Sequence, residues 1–173
     1  MKKDFILVIP NIRSAHNVGS LFRTADGAGV TKIYLAGYSP LPLDKFGRIS
    51  KPQKEIAKTA LGAEKTIPYE YFPTLKEIVK KLKKEKFVVI GLEQDEKSIK
   101  IGSNISGKKD EEKLKKILSD SEKVALVVGE EVEGMTKADL KLMDYLIEIP
   151  MHGQKESLNV SVAGGIAMFW VSN

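Results

Sequence analysis

Val124-Ala-Leu-Val-Val128-Gly129-Glu130-Glu131-Val-Glu133-Gly134-Met135 joins an unalternating apolar run to a short acidic stretch bounded by glycines. A run of this kind, with no polar residue at every second position, suits a strand buried on both faces. In open α/β sheets ligands collect at the carboxyl ends of such strands, and glycines there let a ligand come close to the backbone. Gly129 and Gly134 are the candidates for that role. The three carboxylates of the stretch can serve as acid, base or cation partners, but spacing alone is weak support for a bound Mg²⁺. For Glu130 and Glu133 a solvated loop position is the alternative.

Working outward, similar short runs rich in Val and Ile occur at 5–9, 33–36, 87–90 and 145–149. Between them lie segments of helical period with start signals. Thr74 with Glu77 resembles a capping box ahead of Leu75, Ile78, Val79 and Leu82, and Thr136 with Asp139 is a looser version ahead of Leu140 and Met143. Strand and helix therefore alternate, which predicts an α/β domain with a mainly parallel sheet and helices on both faces. Residues 37–52 contain Pro40, Pro42, Gly47 and Pro52 and keep no period. They read as a long surface loop. Carrying Lys45, Arg48 and Lys51, it is either an RNA-contacting loop or a mobile connection.

The chain has 173 residues, 42% of them hydrophobic, which suits one domain over residues 1–173 with a real core. It has no cysteine, so disulfide frameworks and thiolate metal sites are excluded. His16 and His152, without close spacing, make a poor metal site, and no metal is expected. No secretory leader opens the sequence and no apolar run approaches the roughly 20 residues of a membrane span, so a cytoplasmic protein is expected. The formal net charge of +5 favours a polyanionic partner. Much of that excess sits in the Lys-rich stretches 80–86 and 108–116, which read first as solvated helix faces.

Two further segments carry chemistry. Asn11-Ile-Arg-Ser-Ala-His-Asn17-Val-Gly19-Ser-Leu-Phe-Arg23 follows the first strand. Asn17 can cap a helix whose Val18, Leu21, Phe22 and Ala25 share a face, leaving Arg23 to project opposite it toward ligand or solvent. Ile147-Glu-Ile149-Pro-Met151-His-Gly153-Gln-Lys-Glu-Ser157-Leu158-Asn159-Val-Ser-Val-Ala follows the last strand. Ser157 or Asn159 can cap a final helix that is apolar on nearly every side, which must be buried against the core or a second subunit. Gly164 and Gly165 inside it cost about 1 kcal/mol each relative to Ala, so close packing is expected there.

Taken together, Asn17-x-Gly19-x-x-x-Arg23, Gly129-x-Glu131-x-x-Gly134 and Ile-Pro-Met followed by Ser157-Leu-Asn159-Val-Ser-Val-Ala resemble the three motifs of the SpoU (TrmH-like) branch of the SPOUT methyltransferases. The resemblance spans almost the whole chain and is specific because all three motifs occur in order. It implies a deep trefoil knot at the C-terminal end of the sheet, a homodimer, and S-adenosylmethionine held bent within the knotted loops. Carried onto this chain, it implies cofactor contacts from Leu92, Gly129, Ile149, Met151 and Leu158, and a catalytic set of Asn17, Arg23, Glu131, Ser157 and Asn159. The implied reaction is methyl transfer to a ribose 2′-hydroxyl of tRNA or rRNA, with tRNA slightly favoured. A guanidinium stays protonated in proteins, so Arg23 suits positioning and charge stabilisation better than proton abstraction. The alternatives are a noncatalytic RNA-binding or assembly factor with the same fold, and a base-methylating SPOUT enzyme.

Overall fold

The structure is a computed structural model that describes residues 3–44, 46–102, 108–130 and 134–173. In chain order the elements are β1 (Asp4–Pro10), α1 (Ala15–Gly27), β2 (Lys32–Ala36), α2 (Lys51–Ala60), α3 (Ala63–Thr66), β3 (Tyr69–Phe72) and α4 (Leu75–Lys84). There follow β4 (Val88–Leu92), β5 (Ile99–Lys100), α5 (Lys108–Asp120), β6 (Lys123–Val128), α6 (Lys137–Leu140), β7 (Tyr145–Glu148) and α7 (Val160–Ser172). The strands form one seven-stranded parallel sheet in the order β3-β2-β1-β6-β4-β7-β5. All five apolar runs are strands of it.

Alternate residues of each central strand feed different layers. Phe5, Leu7 and Ile9 of β1 join Val18, Leu21 and Phe22 of α1, Ile56 of α2, Leu114 of α5 and Met168 of α7 on one face. Ile6 and Val8 join Ile78, Val79 and Leu82 of α4 on the other. Helices therefore cover both faces, as the unalternating runs require.

The caps differ from the expectation in one place. Ser14, not Asn17, caps α1: the Asn17 backbone N–H donates to Ser14 Oγ at 3.3 Å, so Asn17 sits in the first helical turn. The expected starts at Thr74, Thr136 and Asn159 are found, each side chain accepting a backbone N–H of the first turn. The long loop ends before 52, because Ser50 and Gln53 form a capping box and Pro52 belongs to the first turn of α2.

The final helix is buried on one side only. A Cβ on Gly164 would lie 2.7 Å from Leu21 Cδ2 and 3.3 Å from Val128 Cγ1, so α7 is pressed against α1 and β6. Its opposite side is bare, with Val162, Ile166 and Phe169 exposed by 51%, 45% and 47%.

Candidate active site

β6, β4 and β7 are neighbours in the sheet, and their carboxyl ends together with the start of α7 enclose a pocket. It lies just past the point where the strand order reverses about β1 and β6, the place where open α/β sheets bind ligands. Leu92 ends β4, Gly129 follows β6, Ile149 and Met151 follow β7, and Leu158 precedes α7; all of these expected cofactor positions line the one pocket, as does Ser157. Val160 and Ala163 add to the apolar wall.

A residue that sequence reasoning missed, Glu93, shapes this pocket. Its Oε2 accepts the Met135 backbone N–H at 2.7 Å and its Oε1 accepts the Gln94 N–H at 3.0 Å. A Cβ on Gly129 or Gly134 would lie 2.6 or 2.5 Å from that Oε2. The two glycines thus make room for a carboxylate of their own chain as well as for a ligand. The signal available was position: Glu93 directly follows the last residue of a buried strand, where α/β sheets present functional groups.

Among the described residues, Glu93, Glu130 and Glu148 line the pocket, and no Lys, Arg or His does. Lys100 offsets part of this charge, its Nζ lying 3.7 Å from Glu148 Oε1. The lining therefore mixes apolar side chains with acidic ones, suited to a ligand with an uncharged body and a positive centre.

Asn17 and Asn159 meet although they are far apart in sequence: Asn159 Nδ2 donates to Asn17 Oδ1 at 3.2 Å. Arg23 is exposed, as its helical phase predicted, but it does not line the pocket. It opens into a separate cleft with Ser20, Thr24, Gly27, Lys58, Thr59 and Phe169, beside the bare face of α7. Glu131 lies outside the described residues. Its neighbour Glu130 accepts from Asn11 Nδ2 and, at 3.4 Å, from the Tyr38 hydroxyl. Among the described residues no group of three or more His, Cys, Asp or Glu is arranged to hold a metal ion, and no helix is long and apolar enough to cross a membrane.

The sequence pattern of the SpoU rRNA methylase family matches residues 4–169. The chain belongs to that family. Within it, the chain is 30% identical over 169 residues to the 23S rRNA (guanosine-2′-O-)-methyltransferase RlmB of Escherichia coli K12, covering 98% of this chain and 60% of that protein. It is 31% identical over 164 residues to RlmB of Xylella fastidiosa, covering 95% of this chain and 56% of the relative. The chain thus spans about 60% of the length of the curated relatives it matches. An S-adenosylmethionine-bound rRNA methyltransferase of Sinorhizobium meliloti shares the fold at a TM-score of 0.78 and 22% identity, over 99% of this chain and 56% of the other. The SpoU-type tRNA modifying enzyme TrmH of A. aeolicus does so at 0.73 and 23%, over 99% and 75%.

Proposed function

We propose that this SpoU-family chain is an S-adenosylmethionine-dependent RNA methyltransferase acting on a ribose 2′-hydroxyl. The observation that carries the reading is the convergence of Leu92, Gly129, Ile149, Met151, Ser157 and Leu158 on one pocket at the strand ends. The residues fit the cofactor: apolar walls for the adenosine and methionine chain, and carboxylates for a cationic sulfonium and ammonium. When bound, the cofactor supplies a methyl group on a sulfonium already primed to leave. The chain's own contribution is then chiefly alignment, for which well-oriented groups can supply roughly 7 to 11 kcal/mol of barrier reduction. Ser157, at the pocket, and the Asn17–Asn159 pair orient the acceptor ribose. Glu131 completes this set by the family pattern.

Arg23 and Lys58 open into one cleft, and two cations there suit an RNA phosphate. That cleft adjoins the exposed Val162, Ile166 and Phe169 face of α7. A second copy of the chain docked on this face buries it and sets Arg23 in the interface, so the active unit is proposed to be a homodimer. The threaded C-terminus that the motifs imply and a cytoplasmic location belong to the same reading. The names of the curated relatives support ribosomal RNA as acceptor, and the TrmH likeness keeps tRNA as the second arm of the test.

Incubation with methyl-labelled S-adenosylmethionine and bulk RNA, followed by digestion to nucleosides and separation by RNA class, tests the proposal. Label in 2′-O-methylated nucleosides is expected. Label on a base would make the chain a base methyltransferase, and no transfer would leave a noncatalytic RNA binder.

A further inference from the structure

We propose that the surface from the β3 edge of the sheet to the mouth of the pocket is a track for an unpaired RNA strand, with Tyr38 and Tyr71 as base-stacking platforms. This deepens the reading above, since it takes the pocket as the place where the acceptor nucleotide is modified. Tyr71 lies in β3, on the outermost strand, and is 46% exposed; Tyr38 follows β2 and is 52% exposed. Neither ring serves the core, yet both hydroxyls are fixed. Tyr71 donates to the Gly37 carbonyl at 3.1 Å, and Tyr38 donates to Glu130 Oε2 at 3.4 Å. Glu130 in turn lines the donor pocket. The contacts form a continuous line from sheet edge to pocket: Tyr71, Gly37, Tyr38, Glu130.

Two half-exposed rings anchored by their hydroxyls are preorganised flat surfaces, which cost little entropy to use. A cation accompanies the inner one, because the Arg13 guanidinium carbon lies 5.7 Å from the Tyr38 ring centre. The same ring-and-guanidinium pairing recurs on the connection after Tyr38, where Arg48 stands 4.6 Å from the ring centre of Phe46, itself 66% exposed. Aromatic faces beside cations recognise nucleic acid whose bases are unstacked, since every base has a π-face and each linkage a negative charge. A duplex hides those faces and offers only backbone and groove shape. The overall charge of +5 agrees in sign with such a partner.

The test measures binding of a fluorescent oligouridylate and of a blunt duplex of equal length at one salt concentration, using the full chain and its Tyr38→Ala, Tyr71→Ala and Tyr38→Phe variants. Calorimetry with S-adenosylmethionine is run on each. The expected result is preference for the unpaired strand and about tenfold weaker binding for each Ala variant, the size of one lost base stack. Tyr38→Phe, which keeps the ring and loses the anchoring hydroxyl, weakens binding by less than Tyr38→Ala does, and donor affinity does not change in any variant. Equal binding of duplex and single strand overturns the proposal. So does undiminished binding by both Ala variants, which would leave the two rings to a protein contact. A parent chain that binds the oligonucleotide as expected but transfers no methyl group refutes the enzyme reading and leaves the track standing.

Discussion

The Asn159 side-chain amide donates to Asn17 Oδ1 at 3.2 Å, tying the first turn of α1 to the residue that caps α7. The same Asn159 accepts the Ser161 backbone N–H at 2.9 Å, so one side chain starts a helix and joins two motifs. Asn159→Ala loses both bonds and is expected to cost about 1 kcal/mol of stability through the cap. Asn159→Asp keeps the cap and should melt near the parent while still losing methyl transfer. Thermal melting beside a transfer assay separates the two roles.

Gly134 and Gly29 both have positive φ, +65° and +76°, but only Gly134 faces a side chain, with Glu93 Oε2 2.5 Å from where a Cβ would stand. Ala at either position carries the left-handed backbone cost of about 1–2 kcal/mol. Gly134→Ala must in addition displace the Glu93 carboxylate, which lines the pocket. Calorimetry is expected to give at least about tenfold weaker S-adenosylmethionine binding for Gly134→Ala, a difference of about 1.4 kcal/mol, and unchanged binding for Gly29→Ala.

Arg23 does not line the pocket at the strand ends that we propose for the methyl donor, so Arg23→Lys should leave donor affinity as it is. Lysine keeps the charge but lacks the planar fork that grips a phosphate through two bonds. Transfer to RNA is expected to fall more than about tenfold, mostly in the RNA-dependent step. Near-normal turnover by Arg23→Lys in a steady-state assay would remove the assigned role.

The strands were readable because β1, β2, β4, β6 and β7 carry apolar residues on successive positions, a pattern set in β1, β2, β4 and β6 by burial on both faces. β3 was not, since Tyr69–Phe72 is an edge strand with partly exposed residues between Pro68 and Pro73, and β5 is only Ile99–Lys100. Pro52 read as loop punctuation because proline marks turns and first helical turns alike, and the Ser50–Gln53 box decides between them. The pocket residues were named through family likeness. What gathers them is the adjacency of β6, β4 and β7, a long-range pairing that no local pattern encodes. Arg23's direction followed from helical phase, whereas its distance from the pocket depended on where α1 packs.

Burial pushes the Tyr34 phenol above its ordinary value, with Lys81 opposing and Glu70, Glu85 and Asp4 adding to the rise. A raised folded-state value means that the neutral phenol is the form the fold prefers. The contribution is therefore complete below the ordinary tyrosine range near pH 10 and is lost as pH climbs through the folded value. Tyr34→Phe should shed this alkaline sensitivity. Denaturant midpoints of the two proteins are expected to diverge above about pH 10, with the phenylalanine variant falling less.

Titration of the chain with S-adenosylmethionine in a calorimeter, beside a Leu158→Arg variant, tests the donor pocket itself. Leu158 lines the pocket yet is 37% exposed, so arginine there can fill the cavity without unfolding the core. One saturable site per chain, lost in Leu158→Arg at an unchanged melting temperature, is the predicted result. No uptake by the parent chain, or equal affinity in the variant, would contradict the assignment of the pocket between β4, β6, β7 and α7 to the methyl donor.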